Sequence, residues 1–118
     1  MAGQIAQRLK SLGIELPAPA APAANYVPFV LVDDFLFVSG QLPLIAGGEA
    51  FSGRLGEGYK VEDGQRAARA CAVNILAQAK AALGDLDRIR RCVRLNGFVN
   101  ASPSFTDHPE VVNGASNL

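Results

Sequence analysis

Phe35-Leu36-Phe37-Val38-Ser39-Gly40-Gln41-Leu42-Pro43 passes from an aromatic, apolar run into a polar corner within a few residues. Aromatic and β-branched side chains fit the pleated, buried surface of a strand. Glycine at the corner removes a side chain and lets another molecule approach the backbone. A serine hydroxyl beside exposed amides can hold an anionic oxygen. Upstream, Tyr26 to Val32 has strand character with Pro28 marking an irregular start, and Asp33-Asp34 supplies a tight turn. The two runs, Tyr26–Val32 and Phe35–Leu44, therefore predict a hairpin. Ala46 to Glu49 reads as a loop, Phe51 to Leu55 as a third strand, and Gly56-Glu57-Gly58 as a turn.

The most secure helix runs from Asp63 to Leu83, with eight alanines among residues 64–83. Ala68, Ala72, Ile75, Ala79 and Leu83 recur at helical spacing and predict a buried stripe, with Arg66 and Arg69 on the solvated face and Gly84 as the stop. A shorter amphipathic helix is predicted over Gln4–Leu12, with Ile5, Leu9 and Leu12 on one face and Gly13 ending it. Pro17 to Ala24 holds three prolines in eight residues and reads as an extended surface linker. Asp85 to Asp87 reads as a connector. Arg91 to Asn100 alternates as a strand does, with Val93, Leu95 and Val99 on one face and Asn96 and Phe98 on the other. Asp107 or His108 can cap a last helix that starts near Pro109, with Glu110 suited to its N-terminus.

Bulk properties narrow the function. The chain has 118 residues, eleven basic and eleven acidic, and is 49% hydrophobic. That is the size of one domain with a real core. The balanced charge gives nucleic acid no basic stripe to bind. No run is long enough to span a bilayer, and no secretory leader is present, so a cytoplasmic location is expected. Cys71 and Cys92 lack metal or redox spacing and read as reduced packing residues, with a disulfide as the alternative. No metal site is expected, because His108 is the single histidine and has no ligand cluster around it. There is no phosphate loop and no nucleophile elbow. Ser39 has no histidine partner in the sequence pattern, which argues against a serine nucleophile. The remaining polar groups near strand ends are Tyr26, Ser39, Gly40 and Asn113. Each has an ordinary structural role open to it, and together they would bind a small polar molecule by hydrogen bonds.

Tyr26, twelve residues, then Ser39-Gly40-Gln41-Leu42-Pro43 resembles the RidA/YjgF family of enamine/imine deaminases. So do Gly64-Gln65-Arg66-Ala67-Ala68 with Asn74, Phe98-Val99-Asn100-Ala101, and Val111-Val112-Asn113. Gly13-Ile14-Glu15-Leu16-Pro17 and the run Ser104 to Glu110 are similar to a less characterised subgroup. The resemblance implies an α+β, chorismate-mutase-like fold, a mixed sheet packed on two helices. It divides the chain into a helix and connector over residues 1–24 and one domain over 25–118. It also implies a homotrimer with clefts between subunits, and hydrolysis of 2-imino or 2-enamino acids to 2-keto acids and ammonia without a cofactor. Tyr26, Ser39, Gly40 and Asn113 would then surround a small carboxylate-bearing substrate, with neither nucleic acid nor membrane as partner. The family's arginine, which grips the carboxylate, and a late glutamate fall beyond Leu118. Arg90, Arg91 and Arg94 do not align with that arginine. On this pattern the chain is expected to be C-terminally incomplete, lacking the last strands, and inactive and poorly folded without them. The alternative functions are a non-catalytic trimeric binder or sensor of small carboxylates, and an endoribonuclease, which the balanced charge disfavours.

Overall fold

The protein is described by a computed structural model covering residues 3–45 and 51–118. The expected loop at Ala46–Glu49 lies outside the described residues. The elements are α1 (Gln4–Ser11), β1 (Phe29–Val32), β2 (Phe35–Val38), β3 (Arg54–Leu55), β4 (Gly58–Tyr59), α2 (Val61–Leu83), a 3-10 turn (Leu86–Arg88) and α3 (His108–Ser116). They fall into two compact units, Met1–Gln41 with Val73–Cys92, and Leu42–Ala72 with Val93–Leu118.

In the first unit, α1 has no capping side chain of its own at Gly3. Its free N–H groups are met from a distant part of the chain. The Asp87 carboxylate accepts from Gln4 N–H at 2.8 Å and Ile5 N–H at 2.9 Å, the placement that satisfies a helix start and complements its dipole. A side chain at Gly3 would run into that carboxylate. At the other end Gly13 takes φ +71°. Ile14 N–H bonds Leu9 C=O at 2.9 Å and Gly13 N–H bonds Lys10 C=O at 3.1 Å, which completes a Schellman stop. Leu9 then buries against Ala79 and Leu86, with Ile5, Ile14, Leu16, Leu36, Leu76 and Ile89 around them. The N-terminal helix is thus part of this unit's core.

β1 and β2 pair antiparallel from Phe29 opposite Val38 to Val32 opposite Phe35. The turn between them takes Asp33 to φ 52°, a conformation Asp tolerates better than most residues. Both strands are shorter than their apolar runs. Pro28 has no N–H for a ladder, and β2 stops where Ser39 turns to other partners. Most of the hairpin is not buried. Val30, Leu31, Val32, Phe35 and Phe37 are exposed, and only Leu36 joins the core. The expectation of buried strand faces is therefore corrected: a two-stranded ribbon has no second layer to cover it.

In the second unit, β3 and β4 pair around Gly56 and Glu57. The expected strand Phe51–Leu55 is reduced to its last two residues. The start of α2 is closed by Lys60 N–H donating to the Asp63 carboxylate at 2.9 Å, and Arg66 also pairs with Asp63. α3 crosses α2 closely. Val111 is buried, a Cβ on Gly64 would press on it, and a Cβ on Gly114 would overlap the Gln65 backbone carbonyl. Gln65 Nε2 donates to Glu110 C=O at 2.9 Å across the same crossing.

The small-residue stripe on α2 differs in register from the one expected. Ala72 and Ala79 are buried, but Ala68, Ile75 and Leu83 are only half-buried, while Gly64, Ala70, Asn74, Ala77 and Gln78 are buried. A helix with neighbours on more than one side buries more than one stripe. No strand forms over Arg91–Asn100. Among the described residues its ladder contact is confined to one end, where Leu55 N–H bonds Asn100 C=O and Ser102 N–H bonds Leu55 C=O, each at 2.9 Å. Phe98 is 95% exposed and Val93 is exposed too. Alternation is a local property, whereas a strand requires a partner.

Two outcomes test this packing. Gly114→Ala gains helix propensity but forces Cβ into the Gln65 carbonyl. A net loss of about 2 kcal/mol in chemical denaturation is expected. The Lys60 N–H bond, helped by Arg66, holds the Asp63 carboxyl below its ordinary value of 3.8. The advantage of wild type over Asp63→Asn is therefore present above that pH and is lost as pH falls through the depressed value, which acid titration of both proteins by circular dichroism will show.

Candidate functional site

The hairpin end carries three of the four residues singled out by sequence. Beyond β2, Ser39 N–H bonds Pro28 C=O at 2.9 Å and Ser39 Oγ donates to Val27 C=O at 2.6 Å. Gln41 Nε2 donates to Ser39 C=O at 3.1 Å. Every polar group of Ser39 is thus engaged, and its hydroxyl proton is committed to the chain. This corrects the simplest sequence expectation: a hydroxyl already donating to a carbonyl has no proton left for an anion. Ser39 instead fixes the corner. Gly40 follows, exposed, and a Cβ there would meet nothing within 4 Å. No left-handed φ requires this glycine. Its consequence is an uncovered stretch of backbone.

Tyr26 lies on the facing strand arm. The β1–β2 pairing ends at Phe29 opposite Val38, and the Ser39–Val27 bond holds the two arms together just beyond it. Tyr26 N–H bonds Ala24 C=O at 2.9 Å, and the side chain is 44% exposed, so it does not fill the core. Ser39 and Gly40 form the corner after β2, and Tyr26 precedes Val27, the residue whose carbonyl Ser39 holds. Asn113 belongs to the other unit, on α3, half-buried, with its carbonyl accepting from Asn117 N–H at 2.9 Å. It sits in the middle of that helix rather than in its first turn.

Tyr26, Ser39, Gly40 and Asn113 include no ionised group at neutral pH. None of them supplies a counter-charge of its own. His108 is the first residue of α3, and its ring meets Phe105 edge-on at 5.3 Å. Asp107 stands at the cap position without a side-chain bond. Among the described residues no group of three His, Cys, Asp or Glu side chains could hold a metal ion, and no helix is long and apolar enough to cross a membrane. An open pocket of about 390 Å³ in the second unit is lined by Gly56, Gly58, Tyr59, Lys60, Val61 and Phe105, and includes none of the four.

Two polar residues with structural weight escaped the sequence reading, Asp87 and Gln78. Asp87 looked like part of a connector, because nothing local reveals that it caps a helix 82 residues away. Gln78 did leave a signal, as a polar residue between two alanines of a buried stretch. The linker Pro17–Ala24 is likewise not a passive surface segment, since Gln78 Nε2 donates to Ala20 C=O at 2.8 Å.

The cysteines are in no disulfide. Cys71 is partly buried, and burial pushes its thiol up from 9.0. Cys92 is exposed, which corrects its reading as a packing residue.

The fold and the hairpin corner define a class, that of YjgF-like, chorismate-mutase-like proteins. Residues 6–118 match the family model described as "YjgF/chorismate_mutase-like, putative endoribonuclease". Protein TCP17 of Trypanosoma cruzi is 55% identical over 116 residues, which are 98% of this chain and 72% of that protein. The crystal structure of Atu1372 from Agrobacterium tumefaciens, a protein described as of unknown function, is 54% identical with a TM-score of 0.84, covering 94% of this chain and 68% of that one. A protein from Shewanella oneidensis MR-1, described as a putative endoribonuclease, is 40% identical with a TM-score of 0.90, covering 94% and 74%. The chain belongs to the YjgF/chorismate-mutase-like family.

Alkylation at mild alkaline pH checks the cysteine assignment. A single fast modification at Cys92 is expected, with Cys71 reacting only on unfolding, because the thiolate is the reactive form.

Proposed function

We propose that the protein, when it carries the substrate-gripping arginine that the resemblance implies, hydrolyses reactive 2-imino or 2-enamino acids to 2-keto acids and ammonia, in clefts between copies of the chain. The observation that carries this reading is the bare backbone at Gly40, held by the fully engaged Ser39, with Tyr26 exposed nearby in sequence. Backbone N–H groups at such a corner can orient a planar acid and stabilise charge that develops on it. Water adds to the imine carbon, the C–N bond of the resulting carbinolamine breaks, and ammonia leaves as the carbonyl forms. A protonated imine is already electrophilic, so positioning the substrate beside water can supply much of the acceleration. This suits a neutral hydrogen-bonding set without a nucleophile. Tyr26 would hold the substrate's nitrogen or carboxylate edge, and Asn113 joins the proposed set through the family resemblance alone.

Membership of the family supports the reading, as does the order of Tyr26, Ser39-Gly40 and Asn113 along the chain. A homotrimer would bring clefts of this kind together, and the exposed apolar hairpin suits burial against another copy. The net charge of zero gives a phosphate-driven RNA cleft little support.

The test is release of ammonia and 2-keto acid from a freshly generated imino acid. Acceleration over buffer is expected from protein that includes the arginine-bearing segment, and its absence there rejects the enzyme in favour of a binder of small carboxylates. Gly40→Ala sharpens the test. Nothing among the described residues lies within 4 Å of that methyl group, so stability should stay within about 0.5 kcal/mol of wild type. Substrate access should suffer, lowering kcat/KM about tenfold or more, equivalent to roughly 1.4 kcal/mol. Equal kcat/KM in both proteins would remove Gly40 from the site.

A further inference from the structure

Gln78 is the most deeply buried large side chain, 1% exposed, on α2 between Ala77 and Ala79. Its orientation is set by chemistry: the Ala20 carbonyl only accepts, so the Nε2 end must face it, and the bond is 2.8 Å. The other end, Oε1, is buried without a partner among the described residues. An unmet buried acceptor is a cost, and an apolar side chain of the same length would avoid it. The bond that Nε2 gives the Ala20 carbonyl offsets that cost, and what the glutamine specifically fixes is the path of the connector. Ala20 lies within the proline-rich segment, Pro22 stiffens the chain just after it, and the segment ends at Ala24, whose carbonyl accepts from Tyr26 N–H. A short, stiff piece of chain thus joins the anchored Ala20 to Tyr26 at the hairpin end.

We propose that Gln78 is a positioning residue, which anchors the connector at Ala20 and thereby sets where Tyr26 is delivered to the Ser39–Gly40 corner. Its functional meaning rests on the reading of Tyr26 as a ligand group at that corner, while the anchor itself stands on the Gln78–Ala20 hydrogen bond.

The composition offers a direct probe. The chain has no tryptophan and two tyrosines, so in a Tyr59→Phe background all tyrosine emission comes from Tyr26. In that background Gln78→Met, which keeps length and removes the amide, is expected to hold or raise Tm while the anisotropy of Tyr26 falls. Pro22→Gly, which loosens the chain beyond the anchor and leaves Gln78 intact, should lower the anisotropy as well and serves if Gln78→Met does not fold. In the imino-acid assay Gln78→Met should raise KM with kcat held. Unchanged Tyr26 anisotropy in Gln78→Met overturns the proposal, as does a lower Tm with Tyr26 unaffected, which would assign Gln78 to packing. Reduced anisotropy with no imine hydrolysis by any form, wild type included, keeps the anchor and rejects the reading of the site.

Discussion

The hydrogen bond from Ser39 to the Val27 carbonyl closes the open end of the hairpin, and the candidate site depends on it. A two-stranded ribbon is marginal by itself and frays first at its open end. Here the regular pairing stops at Phe29 and Val38, and Pro28, which has no N–H, leaves only the Ser39 N–H to its carbonyl as a backbone bond beyond it among the described residues. Ser39 takes over with its amide and its hydroxyl, each to a carbonyl of the facing arm. The cost is that its hydroxyl no longer serves a ligand. The gain is a fixed corner that leaves Gly40 bare.

The same logic recurs elsewhere, in that polar side chains secure backbone ends where regular structure stops. Asp87 closes α1, Asp63 closes α2, Arg88 reaches the Leu83 carbonyl at the other end of α2, and Gln78 holds the connector. Apolar packing among Leu9, Ala79 and Leu86 then works on elements whose ends are already fixed. The close crossing of α2 and α3 is a separate device, made possible by Gly64 and Gly114.

Local signals carried much of the fold. Gly13 and Gly84 mark helix stops, Asp33-Asp34 marks the turn, and the alanine-rich run marks α2, all because these effects act over one or two turns of chain. The resemblance supplied the family. What local pattern could not supply was partnership. Arg91–Asn100 alternates as a strand should, yet most of it gains no ladder in the described chain. The hairpin's aromatic residues have strand propensity but no covering layer. Tyr26, Ser39 and Gly40 were legible as a group because one hairpin connects them. The role of Ser39 was not, because sequence cannot say which acceptor a hydroxyl will choose. Asn113 was read from the order of motifs and is fixed on α3.

The central claim, that the corner at Gly40 receives a small organic acid, is tested most directly by an amide NMR titration of the protein with a 2-keto acid, the product class. The account predicts saturable shifts at the Gly40 and Gln41 amides together with Tyr26. Shifts confined to other residues, such as the Gly56–Phe105 pocket, or no saturable shift at all, would contradict it.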